Sequence, residues 1–178
     1  MPERNLTDWN SMILGYARID DYVEVLQLYF LMQGLGILPD KFTFPSVVKA
    51  CIAMEDCSGF QQVQSLVVKA RLNGNSIVGG MLVDAYARFG WMDDAVTALD
   101  EIDRKSVVSW NAVIAGYVRI LRWEEALGVF HRMQRLSVCP DHFTFTSALR
   151  VCGVLTSLER GKQVHAMLIT CGSEGDNL

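Results

Sequence analysis

The chain is 178 residues long, 51% hydrophobic and carries a formal net charge of -4. That balance excludes indiscriminate adhesion to nucleic acid through bulk positive charge, and no stretch reaches the roughly 18 apolar residues that a membrane span needs. The five cysteines form no C-x-x-C pair, and Cys51 and Cys152 fall on an apolar helix face, so they read as reduced packing residues of an intracellular or organellar protein.

The elements follow from an internal repetition. Moving residues 5–77 forward by 101 places gives 22 identities in 73 positions. Trp9-Asn10 meets Trp110-Asn111, Gly15-Tyr16 meets Gly116-Tyr117, and Phe42-Thr43-Phe44 meets Phe143-Thr144-Phe145. A second offset, of 31 residues, aligns Tyr86, Arg88 and Ala95 with Tyr117, Arg119 and Ala126. The block is therefore itself composite, as in a repeat array.

In this phase the chain divides into units 6–40, 41–75, 76–106, 107–141 and 142–176, with 1–5 and 177–178 as remnants of adjoining units. Both ends are thus expected to be cut inside an array. The opening residues look like neither a signal sequence nor a transit peptide. Unit one carries Trp9, Ile13 and Tyr16 on a first helix, then Tyr22, Val25, Leu26, Tyr29 and Met32 on a second, and closes at Pro39. Units two and five open on Phe-Thr-Phe and hold longer apolar runs, such as 46–53. Unit three is shorter, its second helix expected over 92–101. Unit four should form helices over about 109–118 and 123–134, the second marked by Trp123, Ala126, Leu127, Phe130 and Met133 at helical spacing. Glu124 and Glu125 suit its positive N-terminal end, and Pro140 stops the unit.

No hairpin of this size buries its stripe alone, so the predicted fold is all-α: a solenoid, or right-handed superhelix, of stacked antiparallel helix pairs. On a wheel of about 100° per residue, the second, fifth, ninth and thirteenth residues of a unit share one narrow face. The fourth, eighth and eleventh, which are the Trp, Ile and Tyr positions, face the packing side. The fifth residues are Asn10, Pro45, Gly80, Asn111 and Thr146, and the second residues include Phe42, Ile77, Val108 and Phe143. A cation recurs once per unit: Arg18, Lys49, Arg88, Arg119 and Arg150. Two readings stand for these cations, complement to a helix C-terminus or contact with a sugar-phosphate backbone. Two also stand for the apolar second residues, packing between repeats or sandwiching of bases.

The phrases SVVSWNAVIAGYVR, WEEALGVFHRM, VCPDHFTFTSALRVCG, LERGKQVHAMLITCG and MLVDAYARFGWMDDA resemble the pentatricopeptide repeat family, in particular its plant-type arrays of alternating P, L and S motifs. The order here would be P, L, S, P, L. The resemblance implies one nucleotide of single-stranded RNA per repeat, chosen by the fifth and last residues. Asn10 with Asp40 and Asn111 with Asp141 match the pairing for uridine, and Thr146 with Asp176 a pairing for guanosine, although L repeats follow that code poorly. Pro45 with Asn75 and Gly80 with Ser106 offer no side-chain donor at the fifth place, so the expected preference is U-N-N-U, followed by G.

Larger members of this layout act in C-to-U editing of mitochondrial or chloroplast transcripts, the mitochondrion being the preferred expectation here. The deaminase pattern H-x-E with P-C-x-x-C is absent: Cys139-Pro140 has the wrong order, and His131, His142 and His165 are scattered. No catalytic residue, metal, cofactor or small-molecule substrate is therefore expected, and an editing or processing enzyme would be supplied elsewhere. The competing expectations are a helical scaffold for protein partners and a truncated product of low activity.

Overall fold

The computed structural model describes residues 5–156 and 158–175. Within them the chain forms α1 (Leu6–Arg18), α2 (Tyr22–Gly34), α3 (Thr43–Ala53), α4 (Cys57–Lys69), α5 (Ser76–Phe89), α6 (Met92–Glu101), α7 (Val107–Arg119), α8 (Trp123–Arg135), α9 (His142–Val154) and α10 (Leu158–Gly175), with no strand among the described residues. It is an all-α helical repeat solenoid. α6 has the expected limits, whereas α7 begins two residues before the apolar pattern does. Ser106 explains this, since its side chain accepts the Ser109 N–H and caps the helix.

The same device recurs at the start of the odd-numbered helices. Asn5, Asn75 and Asp141 cap α1, α5 and α9, and the Asp40 carboxylate accepts the Phe42 and Thr43 N–H groups at the head of α3. Each cap satisfies backbone donors that a helix start otherwise leaves without a partner. The turn inside each hairpin is also fixed. Asp20, Glu55, Gly90, Leu121 and Thr156 all adopt positive φ, between 50° and 81°. Glycine alone does so without steric penalty.

The first helices stand side by side, α1 against α3, α3 against α5, α5 against α7 and α7 against α9. Each second helix packs on its own first helix and on the first helix of the next unit. The core lies between these two layers. Trp110, Ile114 and Phe130 fill it in unit four, and Trp9, Ile13 and Tyr29 do so in unit one. Cys51 is wholly buried, and burial pushes its thiol up to about 12, so it stays protonated and packs as an apolar group. On the outer layer Arg132 pairs with Asp100, and Arg160 with Glu124, across neighbouring units.

Tyr16 departs from the expected packing. It is 36% exposed whereas its counterpart Tyr117 is 7% exposed. α6 of the preceding unit covers α7, but among the described residues α1 meets only α2 and α3. The paired glycines show the same asymmetry: a Cβ at Gly116 would lie 2.6 Å from Met92 Sδ and 3.0 Å from Ala87 Cβ, while one at Gly15 would meet nothing within 4 Å. Gly116→Ala should therefore cost about 1–3 kcal/mol through overpacking, whereas Gly15→Ala should gain about 0.5–1 kcal/mol from helix propensity. Equilibrium denaturation of the two variants checks the pair, and equal effects would contradict the stacking.

Candidate nucleic-acid interface

Helix geometry assigns the three residues of each Phe-Thr-Phe segment to different surroundings. Phe42 and Phe143 stand 64% and 51% exposed, whereas Phe44 and Phe145, about 200° further round the helix, are buried. Ile77 and Val108 are likewise exposed. These four second residues thus stand as apolar groups on the surface, with Ile77 and Val108 lining one groove. Lys41 lies over the Phe42 ring at 5.2 Å, adding charge beside it.

A groove of about 630 Å³ runs along α3, α5 and α7. It brings together Pro45 and Gly80 from the fifth places, Ile77 and Val108 from the second, and Lys49 and Arg88 from the cations. With glycine and proline at the fifth places, it has side-chain hydroxyls at Tyr22, Ser76, Ser106 and Ser109 but no side-chain amide.

The asparagines at the fifth places of units one and four are held alike, but they are not presented as openly as the helix wheel suggests: Asn10 is half-buried and Asn111 is only 8% exposed, because the end of one unit and the start of the next close over them. Asn10 Nδ2 donates to Asp40 Oδ1 at 3.0 Å, and Asn111 Nδ2 donates to Asp141 Oδ1 at 3.0 Å and Oδ2 at 3.1 Å. The Thr43 hydroxyl donates to Asn10 Oδ1 at 2.6 Å, and the Thr144 hydroxyl to Asn111 Oδ1 at 2.6 Å. Both amides join the end of one unit to the start of the next. Thr43 and Thr144 were not singled out by sequence reasoning, although both lie in the Phe-Thr-Phe identity that the 101-residue offset reveals.

Burial pushes the Asp40 and Asp141 carboxyls up, but hydrogen bonds outweigh it and leave both below their ordinary value. For Asp40 these come from the Phe42 and Thr43 N–H groups, the Asn10 amide and the Thr43 hydroxyl. For Asp141 they come from the Thr144 N–H and hydroxyl, the Asn111 amide and the Phe143 N–H.

The five cations are all exposed, yet they are not equivalent. Lys49 pairs with Asp20 at 2.9 Å and donates to the Ala17 carbonyl at 3.2 Å. Arg88 pairs with Asp84 at 2.9 Å, one helical turn away, and Arg119 donates to the Ala87 carbonyl. Lys49 and Arg119 thus serve the C-terminal end of the preceding first helix. Arg18 and Arg150 make no ion pair among the described residues. Thr146 is exposed, but its hydroxyl donates back to the His142 carbonyl at 2.8 Å, while its expected partner Asp176 lies outside the described residues. Among the described residues no three His, Cys, Asp or Glu side chains converge as a metal site, and no helix is long and apolar enough to cross a membrane.

The PPR repeat model matches residues 7–37 and 80–107, and the PPR repeat family model matches 105–153, together more than half of the chain. The chain belongs to the pentatricopeptide repeat family. A mitochondrial pentatricopeptide repeat-containing protein of Arabidopsis thaliana is 38% identical over 98% of this chain, and a chloroplastic one is 35% identical over 97%. The chain spans only 28% and 20% of those two proteins.

Among solved structures, the pentatricopeptide repeat protein PPR10 from maize superposes with a TM-score of 0.59 at 22% identity, over 96% of this chain and 25% of that one. The structure of PPR10 in complex with an 18-nt psaJ RNA element gives 0.64 at 17% identity, over 96% of this chain and 29% of that one. Nuclear proteinaceous RNase P 2 of Arabidopsis thaliana gives 0.72 at 15% identity, over 94% and 38% respectively. At these identities the likeness is one of fold, and it is that of stacked pentatricopeptide hairpins.

Because the Asp40 and Asp141 carboxyls are lowered in the folded pentatricopeptide array, their stabilisation is fully present above the unfolded value of about 3.9. It is lost as pH falls through the lower folded value. The thermal midpoint of an Asp40→Asn/Asp141→Asn variant should therefore lie below that of the native chain at neutral pH, with the gap narrowing under acid. Thermal unfolding at a series of pH values checks this, and a gap that stays constant would contradict the carboxylate role.

Proposed function

We propose that the chain is a sequence-guided module for single-stranded RNA, taking one nucleotide per unit along the edge formed by its first helices. The observation that carries this reading is the asparagine–carboxylate contact built twice, 101 residues apart. Beside each contact the exposed apolar second residues offer faces on which bases stack, worth about 1–3 kcal/mol per base. An amide donates and accepts at once, so it meets a Watson–Crick edge. In this reading Asn10 with Asp40 and Asn111 with Asp141 each take uridine, and Phe42, Ile77, Val108 and Phe143 sandwich the bases. Arg18, Lys49, Arg88, Arg119 and Arg150 follow the phosphates, Lys49 and Arg88 from within the groove itself. Thr146 with Asp176 takes guanosine.

The units follow the P, L, S, P, L order within 6–40, 41–75, 76–106, 107–141 and 142–176. The module works in an organelle, mitochondrion or chloroplast, as the names of its relatives do. It specifies sites for RNA processing, in the sharpest form C-to-U editing, and a separate catalytic component acts there. The RNA complex of PPR10 supports the choice of ligand.

Fluorescence anisotropy with RNA containing U-N-N-U, and with RNA changed only at the two uridines, tests the reading. The matched strand should bind about tenfold or more tightly, at roughly one hydrogen-bond difference per uridine. Between two and five neutralised phosphates should give a slope of log affinity on log salt between about -1.4 and -3.5. Equal affinities would remove the base assignment, and a flat salt response would remove the RNA reading.

A further inference from the structure

We propose that Thr43 and Thr144 are specificity-positioning residues, whose hydroxyls fix the orientation of the Asn10 and Asn111 amides so that each presents uridine's hydrogen-bond order and mismatches cytidine's. This rests on the RNA reading above and adds to it a residue outside the fifth-and-last pair.

The amide orientation follows from a count of donors and acceptors. An ionised carboxylate only accepts, so the edge of Asn10 facing Asp40 must be its NH2, and the amide oxygen must point the other way. There it meets Thr43. That hydroxyl receives the Asp40 N–H at 3.1 Å and directs its single proton to Asn10 Oδ1 at 2.6 Å, closer than the 3.1 Å to Asp40 Oδ1. Unit four follows the same plan more tightly, with the Thr144 hydroxyl also 2.8 Å from Asp141 Oδ1 and the Asn111 NH2 reaching both Asp141 oxygens. Asp141 N–H reaches the Thr144 hydroxyl at 3.2 Å, and that hydroxyl lies 2.6 Å from Asn111 Oδ1.

Each amide is thereby held at both ends: Asn10 keeps one N–H and one oxygen lone pair free, and Asn111 has the same orientation with its NH2 set against both Asp141 oxygens. Uridine offers an acceptor at O4 beside a donor at N3, which this leftover pair meets. Cytidine offers a donor at N4 beside an acceptor at N3, the reverse order, so pairing requires the amide to turn over. Turning it over aims the amide oxygen at a carboxylate and breaks the threonine bond.

The other units support the link. Where the fifth residue is Gly80, the hydroxyl of Ser109 finds Ser106 at 3.0 Å instead. Where it is Pro45, the corresponding residue is Val78, which has no hydroxyl.

The test uses Thr43→Val/Thr144→Val and Thr43→Ser/Thr144→Ser variants of the whole chain, with RNA carrying U or C at the two positions. The valine variant should lower the U-over-C affinity ratio by about fivefold per site, the size of one lost hydrogen bond, and the serine variant should keep it. A valine variant that loses affinity for both RNAs alike, with its ratio intact, would reduce the threonines to helix caps and overturn the proposal. So would a serine variant that loses the ratio.

If the native chain binds neither RNA, the RNA reading fails, and the side-chain amide signal of Asn111 in 1H–15N NMR decides the lock by itself. That signal should shift in Thr144→Val and hold in Thr144→Ser. An unmoved signal in the valine variant would overturn the lock.

Discussion

A two-helix hairpin of about 35 residues leaves one side of its apolar stripe bare, and the need to cover that side governs the rest of the molecule. Each second helix covers its own first helix and the first helix of the following unit, which draws the first helices into a row. Once they stand in a row, one edge of every first helix is committed to the core and the adjoining edge is left outside. Gly116 marks how close the approach becomes, since α5 and α6 leave no room there for a methyl group. The free edge is a by-product of packing, and on it the second residues Phe42, Ile77, Val108 and Phe143 recur exposed, without being needed to fill the core.

The junction between units carries two duties in the same residues. Asp40 and Asp141 satisfy the backbone at the heads of α3 and α9, and they also hold the amides of Asn10 and Asn111. A helix cap has to be a short polar side chain at a fixed place. A group that reads a base edge has to be polar, rigid and at a fixed place as well, so the two requirements coincide. The cost is that the amides spend half or more of their hydrogen-bonding capacity on the protein. What remains on Asn10 is a single donor and a single acceptor, in a fixed order.

Much of this was legible in the sequence because it depends on spacing. The 3.6-residue stripe in 123–133 and the 101-residue offset are consequences of helix geometry, and they gave the helices and their stacking. The exposure of Phe42 against the burial of Phe44 follows from the same wheel. What was not legible depends on neighbours. Tyr16 and Tyr117 occupy equal places but differ in exposure, because α6 covers one of them and no described helix covers the other. The cations formed a uniform ladder on paper, yet Lys49 and Arg119 turn to carbonyls at the end of the preceding helix and Arg88 to Asp84. A long side chain chooses among partners that only three dimensions reveal. The hydroxyls of Thr43 and Thr144 went unread for a related reason, since an apolar frame on either side made them look like spacers.

The claim on which the account stands is that the free edge of the first helices is the working surface. A 1H–15N NMR titration of the chain with a short U-containing single strand tests it most directly. The account predicts shifts at the backbone amides of Ile77, Gly80, Val108 and Asn111, with α4, α6 and α8 unmoved. Shifts gathered on those second helices, with the amides around Gly80 and Asn111 silent, would contradict it.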